Sequence, residues 1–321
     1  MKFFLLVLFS LLVSNSSFSQ KIKAPPKTPA PDYITKEASK WSLRVYSATK
    51  YDQFNLVGKS FNAAFKPDVK LSGGIGASYK NLTLDLAANL FSSDRAHKSK
   101  NVALLSSMYS HAHLVELTIQ VYRHYTAQVY NAQHEQLFSL FRRDIHTFNF
   151  GLNYNYNFNR TRFSFDACFI GTQIQKRSAG APIGGAYFSY IDIASDSSLI
   201  SPSLFEELSI TESISDAKLF TGGISAGYAY TLVLPFHFYI MAAATPKLGL
   251  QAAEIKKDNY HTVPLNFTTG VLMRSAIGYA GKKYYSFFSV LTDYNSIYIE
   301  PGNSISYDPV KVKLLFGFRF K

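Results

Sequence analysis

The chain's 321 residues are 47% hydrophobic and include 27 Phe and 22 Tyr, enough apolar material for a large core and rich in residues that favour strands. Lys and Arg outnumber Asp and Glu by 33 to 21, giving a net charge of +12, but the cations are dispersed between aromatics rather than clustered, which argues against a nucleic-acid partner. Cys168 is the single cysteine, which excludes an intramolecular disulfide and a cysteine-based metal cluster.

Met1-Lys2, the apolar run Phe3 to Val13 and the small polar stretch Ser14 to Ser19 form the three zones of a secretory signal peptide, with cleavage expected before Gln20. The apolar run is about half the length of a membrane-spanning helix. Residues 20–40, carrying Pro25, Pro26, Pro29 and Pro31 among lysines, read as an extended periplasmic tail that serves as a spacer. From Trp41 onward the rule is alternation. Trp41, Leu43 and Val45 oppose Ser42, Arg44 and Tyr46, and a strand's period of two sends the sets to opposite faces.

The next predicted hairpin pairs Leu71 to Tyr79 with Leu82 to Leu90 through the turn Lys80-Asn81. A second runs from Ala103 to Ser110 and from Leu114 to Tyr122, and Tyr125 to Arg142 reads as a long polar loop. Phe148 to Phe158 is the plainest strand, with aromatic or apolar residues at every even position and Asn or Gly at every odd one. Phe163 to Phe169 reads as its mate after Asn159 to Arg162, with Tyr154, Tyr156, Phe158 and Phe163 as part of an aromatic girdle. Ile183 to Asp192, Leu219 to Thr231, Phe236 to Ala244, Thr268 to Tyr279, Tyr284 to Asp293 and Val310 to Phe320 complete the set. Ser198 to Ser201 or Leu208 to Thr211 could supply one more strand.

Export together with two-faced strands points to an all-β, transmembrane antiparallel barrel of the outer-membrane type, spanning residues 41–321 with 12 to 14 strands. A Gram-negative outer membrane is then the location and its lipid the surrounding partner. The last strand closes on Phe320, one residue before the end, and so resembles the signal that barrel-assembly machinery reads.

Several stretches are similar to an uncharacterised family of exported bacterial proteins, domain-of-unknown-function family 4421. They are Phe65-Lys66-Pro67-Asp68, Tyr156-Asn157-Phe158-Asn159 with Arg162-Phe163-Ser164-Phe165, Lys176-Arg177-Ser178-Ala179-Gly180, Gly227-Tyr228-Ala229-Tyr230 and Phe316-Gly317-Phe318-Arg319. The resemblance implies an exported barrel-like architecture with no assigned activity, and it supplies no catalytic residues.

On the polar faces Asp85, Glu116, Arg143, Asp166, Lys311, Lys313 and Arg319 are expected to point into the lumen, where they either plug a narrow barrel as ion pairs or set the selectivity of an open one. Lys176 and Arg177 are candidates for an anion or glycan contact, with a plain basic loop as the alternative. Gly223-Ile224-Ser225-Ala226-Gly227 matches the spacing of a hydrolase nucleophile elbow but lies inside an alternating strand, not at a strand-to-helix turn. His111 and His113 share a face without a third metal ligand nearby. His124, His134, His146, Asp144 and His261 are the ingredients of a rim hydrolase acting on lipid or peptide. The pattern thus points first to a non-enzymatic structural or accessory envelope protein, with a possible envelope protein partner, or to a narrow solute channel, with no cofactor or metal. The rim hydrolase and a soluble secreted β-sandwich are the alternatives.

Overall fold

The computed structural model describes residues 29–35, 40–51, 53–67, 71–79, 82–91, 100–109, 112–204, 206, 214–256, 260–300, 303–307 and 309–320. The signal peptide and the turn Lys80-Asn81 lie outside these residues. So do Leu208 to Thr211, while Ser198 to Ser201 is not a strand.

Twelve strands close a ring, each paired antiparallel with two neighbours. They are β1 (Trp41–Tyr51), β4 (Leu71–Tyr79), β5 (Leu82–Phe91), β6 (Lys100–Tyr109), β7 (His113–Asn131), β8 (Gln136–Asn157), β9 (Ala179–Ala194), β10 (Asp216–Val233), β11 (Phe238–Lys256), β12 (Tyr260–Ala280), β13 (Tyr284–Glu300) and β15 (Val310–Phe320). The first and last of them meet, Trp41 opposite Phe320, so the ring has no bare edge. The expected barrel is present, and its ring has the lowest strand number the alternation allowed.

The faces fall as the period of two requires. Leu43, Val45, Ile75, Leu84, Leu86, Leu152, Ile224, Leu248 and Phe316 are exposed in an outward apolar belt. Ser42, Arg44, Ser78, Thr83, Asp85, Gln120, Asn149, Lys247 and Arg274 are buried inside. Trp41 and Tyr79 contact at 4.5 Å, and Phe318 and Phe320 at 4.6 Å, where the first and last strands meet. We call this the proximal end.

Three further strands escape a simple alternation count: β2 (Phe54–Val57), β3 (Phe61–Pro67) and β14 (Asn303–Tyr307). They form a row running from the distal half of β13 through β14, β2 and β3 to the distal half of β7. The segment Tyr125 to Arg142 is accordingly not a loop. β7 continues to Asn131, turns, and returns as β8 from Gln136. His124 adopts a left-handed φ of 68° at the irregularity that switches β7 from its β6 partner to β3.

Distally, three strands take the place of five in the ring, so the wall must narrow and it splits instead. β8 leaves β9 beyond the pair His146 and Ala194, and β12 leaves β13 beyond Gly270 and Asn295. Two sheets then face each other. Phe54, Leu56, Phe65, Val129, Ile305 and Tyr307 of one pack on Ile193, Leu219, Ile255 and Val263 of the other, as in a sandwich.

Phe163 to Phe169 is not a strand. The chain turns into the barrel after Asn157, and Phe165–Phe169 forms one helical turn, α1, capped by the Ser164 hydroxyl, which accepts from the Ala167 amide at 3.2 Å. Phe163 is fully buried rather than part of the girdle. With Phe165, Cys168 and Ile170 it packs on Tyr46, Tyr239, Tyr285 and Leu315 of the wall. The interior therefore carries an apolar core at each end.

Because Leu84 and Leu152 lie in the apolar belt, Leu84→Arg or Leu152→Arg is expected to destabilise the lipid-embedded barrel by about 2 to 4 kcal/mol near mid-bilayer. Urea unfolding in vesicles measures this, and unchanged stability in both variants would reverse the assignment of faces.

Candidate functional site

Between the two apolar cores lies a polar layer around a cavity of about 230 Å³. Its charged lining comes from inward positions on six strands: Asp85 on β5, Glu116 on β7, Lys247 on β11, Arg274 on β12, Asp293 on β13, and Lys311 and Lys313 on β15. The ladder brings them together although they are far apart in sequence. Strands β1, β4 and β5 are neighbours, so Arg44 Nε donates to Asp85 Oδ1 at 2.7 Å. Lys313, on the other side of β1, donates to Asp85 Oδ2 at 2.7 Å and lies 4.0 Å from the Tyr46 ring centroid. Gly76 makes room for this triad, since a Cβ there would strike Asp85 Oδ1 and Arg44 Nε.

Across the lumen, Arg274 pairs with Glu116, and Lys247 pairs with Asp293 while also donating to Asn295 Oδ1 at 2.6 Å. In a low-dielectric interior such pairing is what makes the charges tolerable. Lys247, Arg274, Asp293 and Arg44 were not singled out from the sequence. Their inward parity was the available signal.

Two of the expected lumen charges serve the plug instead. Asp166 is buried on α1, not on a strand, because Ser164 starts a helical turn there. Its carboxylate accepts from Thr172 Oγ1 at 2.5 Å and from the Gln173 amide at 2.8 Å. Burial pushes the Asp166 carboxyl up to about 6, against those hydrogen bonds, which favour its ionised form. Arg319 donates to the carbonyls of Gly171 and Gly281 and stacks 4.6 Å from the Tyr285 ring centroid, which clamps the plug to the wall. Gly171 needs its φ of +83°, and a Cβ there would meet the Tyr285 ring. Arg44 also reaches the plug, with Nη1 3.4 Å from the Ile170 carbonyl.

Arg143 departs from its expected place. The irregularity opposite His124 puts Arg142, not Arg143, inside, and Arg143 is exposed. Arg142 binds Asp144 in a fork, at 2.8 and 2.7 Å, and the carbonyls of Ser198 and Leu199 at 2.8 and 3.0 Å. It thereby draws the segment after β9 over the gap between β8 and β9. This occupies the Asp144 carboxylate, which also accepts from Ser197 at 3.1 Å. His146 Nδ1 lies 3.4 Å from the Asp144 carbonyl instead. His134 sits in the β7–β8 turn, and His113 meets the Tyr154 hydroxyl at 3.0 Å. Ser225 lies in the middle of β10, where Gly223 and Gly227 sit tight against the backbone of β11, so the nucleophile-elbow geometry is not formed. His111 and the side chain of His261 fall outside the described residues.

At the proximal mouth, residues 29–35 lie across the plug. Ile34 is fully buried, the Ala30 amide donates to the Thr161 carbonyl at 2.8 Å, and the Lys176 amide donates to the Tyr33 carbonyl at 2.7 Å. Lys176 and Arg177 are exposed there. Lys176 Nζ donates to the Pro31 carbonyl at 3.0 Å, and Arg177 and Arg162 approach the Tyr33 ring at 5.9 and 5.3 Å. Both candidate anion contacts thus hold the strap.

A model of the family described as Domain of unknown function (DUF4421) matches residues 28–320. No curated protein matches the chain. Among solved structures, the outer membrane protease OmpT from Escherichia coli is similar at 8% identity over 92% of this chain and 99% of that one, with a TM-score of 0.44. The beta domain of the Bordetella autotransporter BrkA is similar at 11% identity over 88% and 100%, with a TM-score of 0.38. The outer membrane protein OprG from Pseudomonas aeruginosa is similar at 12% identity over 88% and 97%, with a TM-score of 0.28.

Two outcomes follow from the interior. Asp85→Asn leaves Arg44 and Lys313 buried without their counterion and is expected to cost about 3 to 5 kcal/mol in urea unfolding. The folded state binds the Asp166 proton more tightly than the unfolded chain does. That stability is complete below the ordinary carboxylate value of 3.8 and is lost as pH rises through about 6. Comparing unfolding midpoints of wild type and Asp166→Asn across this window should show the decline in wild type relative to the variant. Parallel curves would mean that the carboxyl does not titrate there.

Proposed function

The chain belongs to the family described as Domain of unknown function (DUF4421), which names no activity, and we propose that it is a non-enzymatic outer-membrane barrel sealed along its axis. Its role is then structural or accessory within the envelope rather than that of an open diffusion pore. The observation that carries this reading is the pair of apolar cores. Phe163, Phe165 and Ile170 fill the proximal interior against eight strands of the wall, and the facing sheets fill the distal interior with Phe54, Phe65, Ile193 and Ile255.

Fixed charges between two such cores do not make a conductive path, because an ion would have to leave water at both ends. The closed ladder and the outward apolar belt support residence in a bilayer, and the short proximal connections Leu234 to His237 and Gly281 to Lys283 support a periplasmic proximal end. Residues 29–35, strapped across that mouth, then face the periplasm with the plug.

Planar-bilayer recording of the detergent-folded mature protein tests the reading, with heat-modifiable gel migration confirming a folded barrel. A silent membrane is expected under conditions where the barrel inserts. Discrete, ion-selective steps would overturn the sealed axis and turn the charged layer into a selectivity zone.

A further inference from the structure

Charge is distributed unequally between the two ends of the barrel. At the proximal end Lys40, Arg162, Lys176, Arg177, Lys282 and Lys283 are exposed, and among the described residues there Asp32 is the one exposed acid. At the distal end both signs are exposed, Asp196, Glu206 and Glu254 as well as Lys59, Lys66 and Arg143. Three of the proximal cations are engaged with the strap, Arg162 and Arg177 on Tyr33 and Lys176 on Pro31. Lys40, Lys282 and Lys283 stand instead at the rim, beside the seam that closes the ring. Lys40 precedes Trp41, which pairs with Phe320, and Lys283 precedes Tyr284, which pairs with Phe318. The Lys283 carbonyl accepts from the Arg319 amide at 2.8 Å, so the turn that carries both lysines is fixed to the end of β15.

On the outer face of the same seam lies an apolar hollow of about 670 Å³. Its shape follows from the register. Tyr284, Phe318, Leu43, Ala77 and Leu84 form one row across β13, β15, β1, β4 and β5, and all five line the hollow. Leu43 and Leu84 are exposed, and the Ala77 methyl between them stops short of both. Gly76 and Gly317, which have no side chain, line it as well. The proximal border is aromatic, with Trp41 against Tyr79 at 4.5 Å and Tyr284 against Phe318 at 5.3 Å. Such a border lies at the headgroup level of a bilayer, which puts the hollow at acyl-chain depth and the three lysines at the level of the phosphates.

We infer that this sector of the wall is a binding site for one anionic phospholipid, with an acyl chain in the hollow over Ala77 and the phosphate headgroup beside Lys40, Lys282 and Lys283. The hollow selects a tail, because only an apolar occupant gains by leaving the bilayer for it. The lysines beyond the aromatic border select a negative headgroup over a zwitterionic one. Charge also argues against a second copy of the chain as the occupant. Two copies related by an axis normal to the membrane would bring the same lysines together at one level. The inference rests on residence in a bilayer and not on the sealed axis.

Native mass spectrometry of the folded mature barrel tests this by titration with dioleoylphosphatidylglycerol, dioleoylphosphatidylcholine and glycerol 3-phosphate. One equivalent of phosphatidylglycerol is expected to be retained about tenfold more tightly than phosphatidylcholine, while glycerol 3-phosphate, which has no tail, should not bind. Lys282→Gln combined with Lys283→Gln should lose the preference for the anionic lipid. Ala77→Phe, which fills the hollow, should lose the bound equivalent, and Lys59→Gln at the distal end should change nothing. The two lysines are exposed turn residues, so their variant remains informative if Ala77→Phe fails to fold. Equal retention of both phospholipids means annular lipid only and overturns the inference. So do glycerol 3-phosphate binding as tight as that of the lipid, a protein dimer in place of the lipid adduct, and an unchanged preference in the lysine variant. A chain that folds without detergent or lipid would remove bilayer residence itself, whereas a detergent-dependent barrel with no lipid preference removes this site alone.

Discussion

A β-ladder closed on itself inside an apolar surround leaves charge one place to go, which is the lumen, and a lumen of twelve strands is too wide for its wall side chains to fill unaided. Both consequences shape this molecule. The inward positions that stay polar gather into ion pairs across neighbouring strands, as in Arg44, Asp85 and Lys313. The remaining space is filled by chain rather than by wall. Residues 163–174 enter from the proximal side, and the row β14, β2 and β3 folds the distal wall onto itself.

The distal narrowing is a matter of counting. Seven strands, β7 to β13, run the full height, while five strands that complete the ring proximally give way to three. With strands spaced nearly five ångströms apart, the circumference contracts, and the sheet relieves the mismatch by parting at two seams. One seam is closed by a segment whose carbonyls at Ser198 and Leu199 are gripped by Arg142. The other is left with a Gly at its base and an aromatic at its lip. What distinguishes a barrel from a sandwich is here a local property of height.

The ring was legible in the sequence because its signal has a period of two, and Phe148 to Phe158 or Leu82 to Leu86 can satisfy that period in one way only. The plug was hidden by the same signal. Phe163, Phe165, Ala167 and Phe169 alternate perfectly with Ser164, Asp166 and Cys168, yet burial on all sides removes the reason for alternation, and the Ser164 cap with Gly171 beyond turns the segment helical. The competing cues, an N-cap residue and a glycine seven positions on, were present but weaker. Tyr125 to Arg142 failed for a different cause. A bulge at His124 shifts the parity of β7, so its inward residues change from even to odd numbers and the continuous pattern dissolves. Arg143 and Arg142 exchange roles through the same shift. Pairings such as Lys247 with Asp293 need the strand order, which no local pattern carries.

The polar layer is the part of the interior that sealing does not explain. Two apolar cores close the axis, and filling the middle with apolar side chains of the same volume would be at least as stable, because buried ion pairs rarely recover their desolvation cost. Nor are the pairs needed to fix register, since the apolar belt outside already sets every strand's parity. Each arginine that fastens the plug has a structural use: Arg319 holds Gly171, and Arg44 reaches Ile170. Lys247, Arg274, Lys311 and Lys313 line the cavity instead. Lys247 stands at the seam between β12 and β13, where it ties β11 to Asp293 and Asn295 of β13.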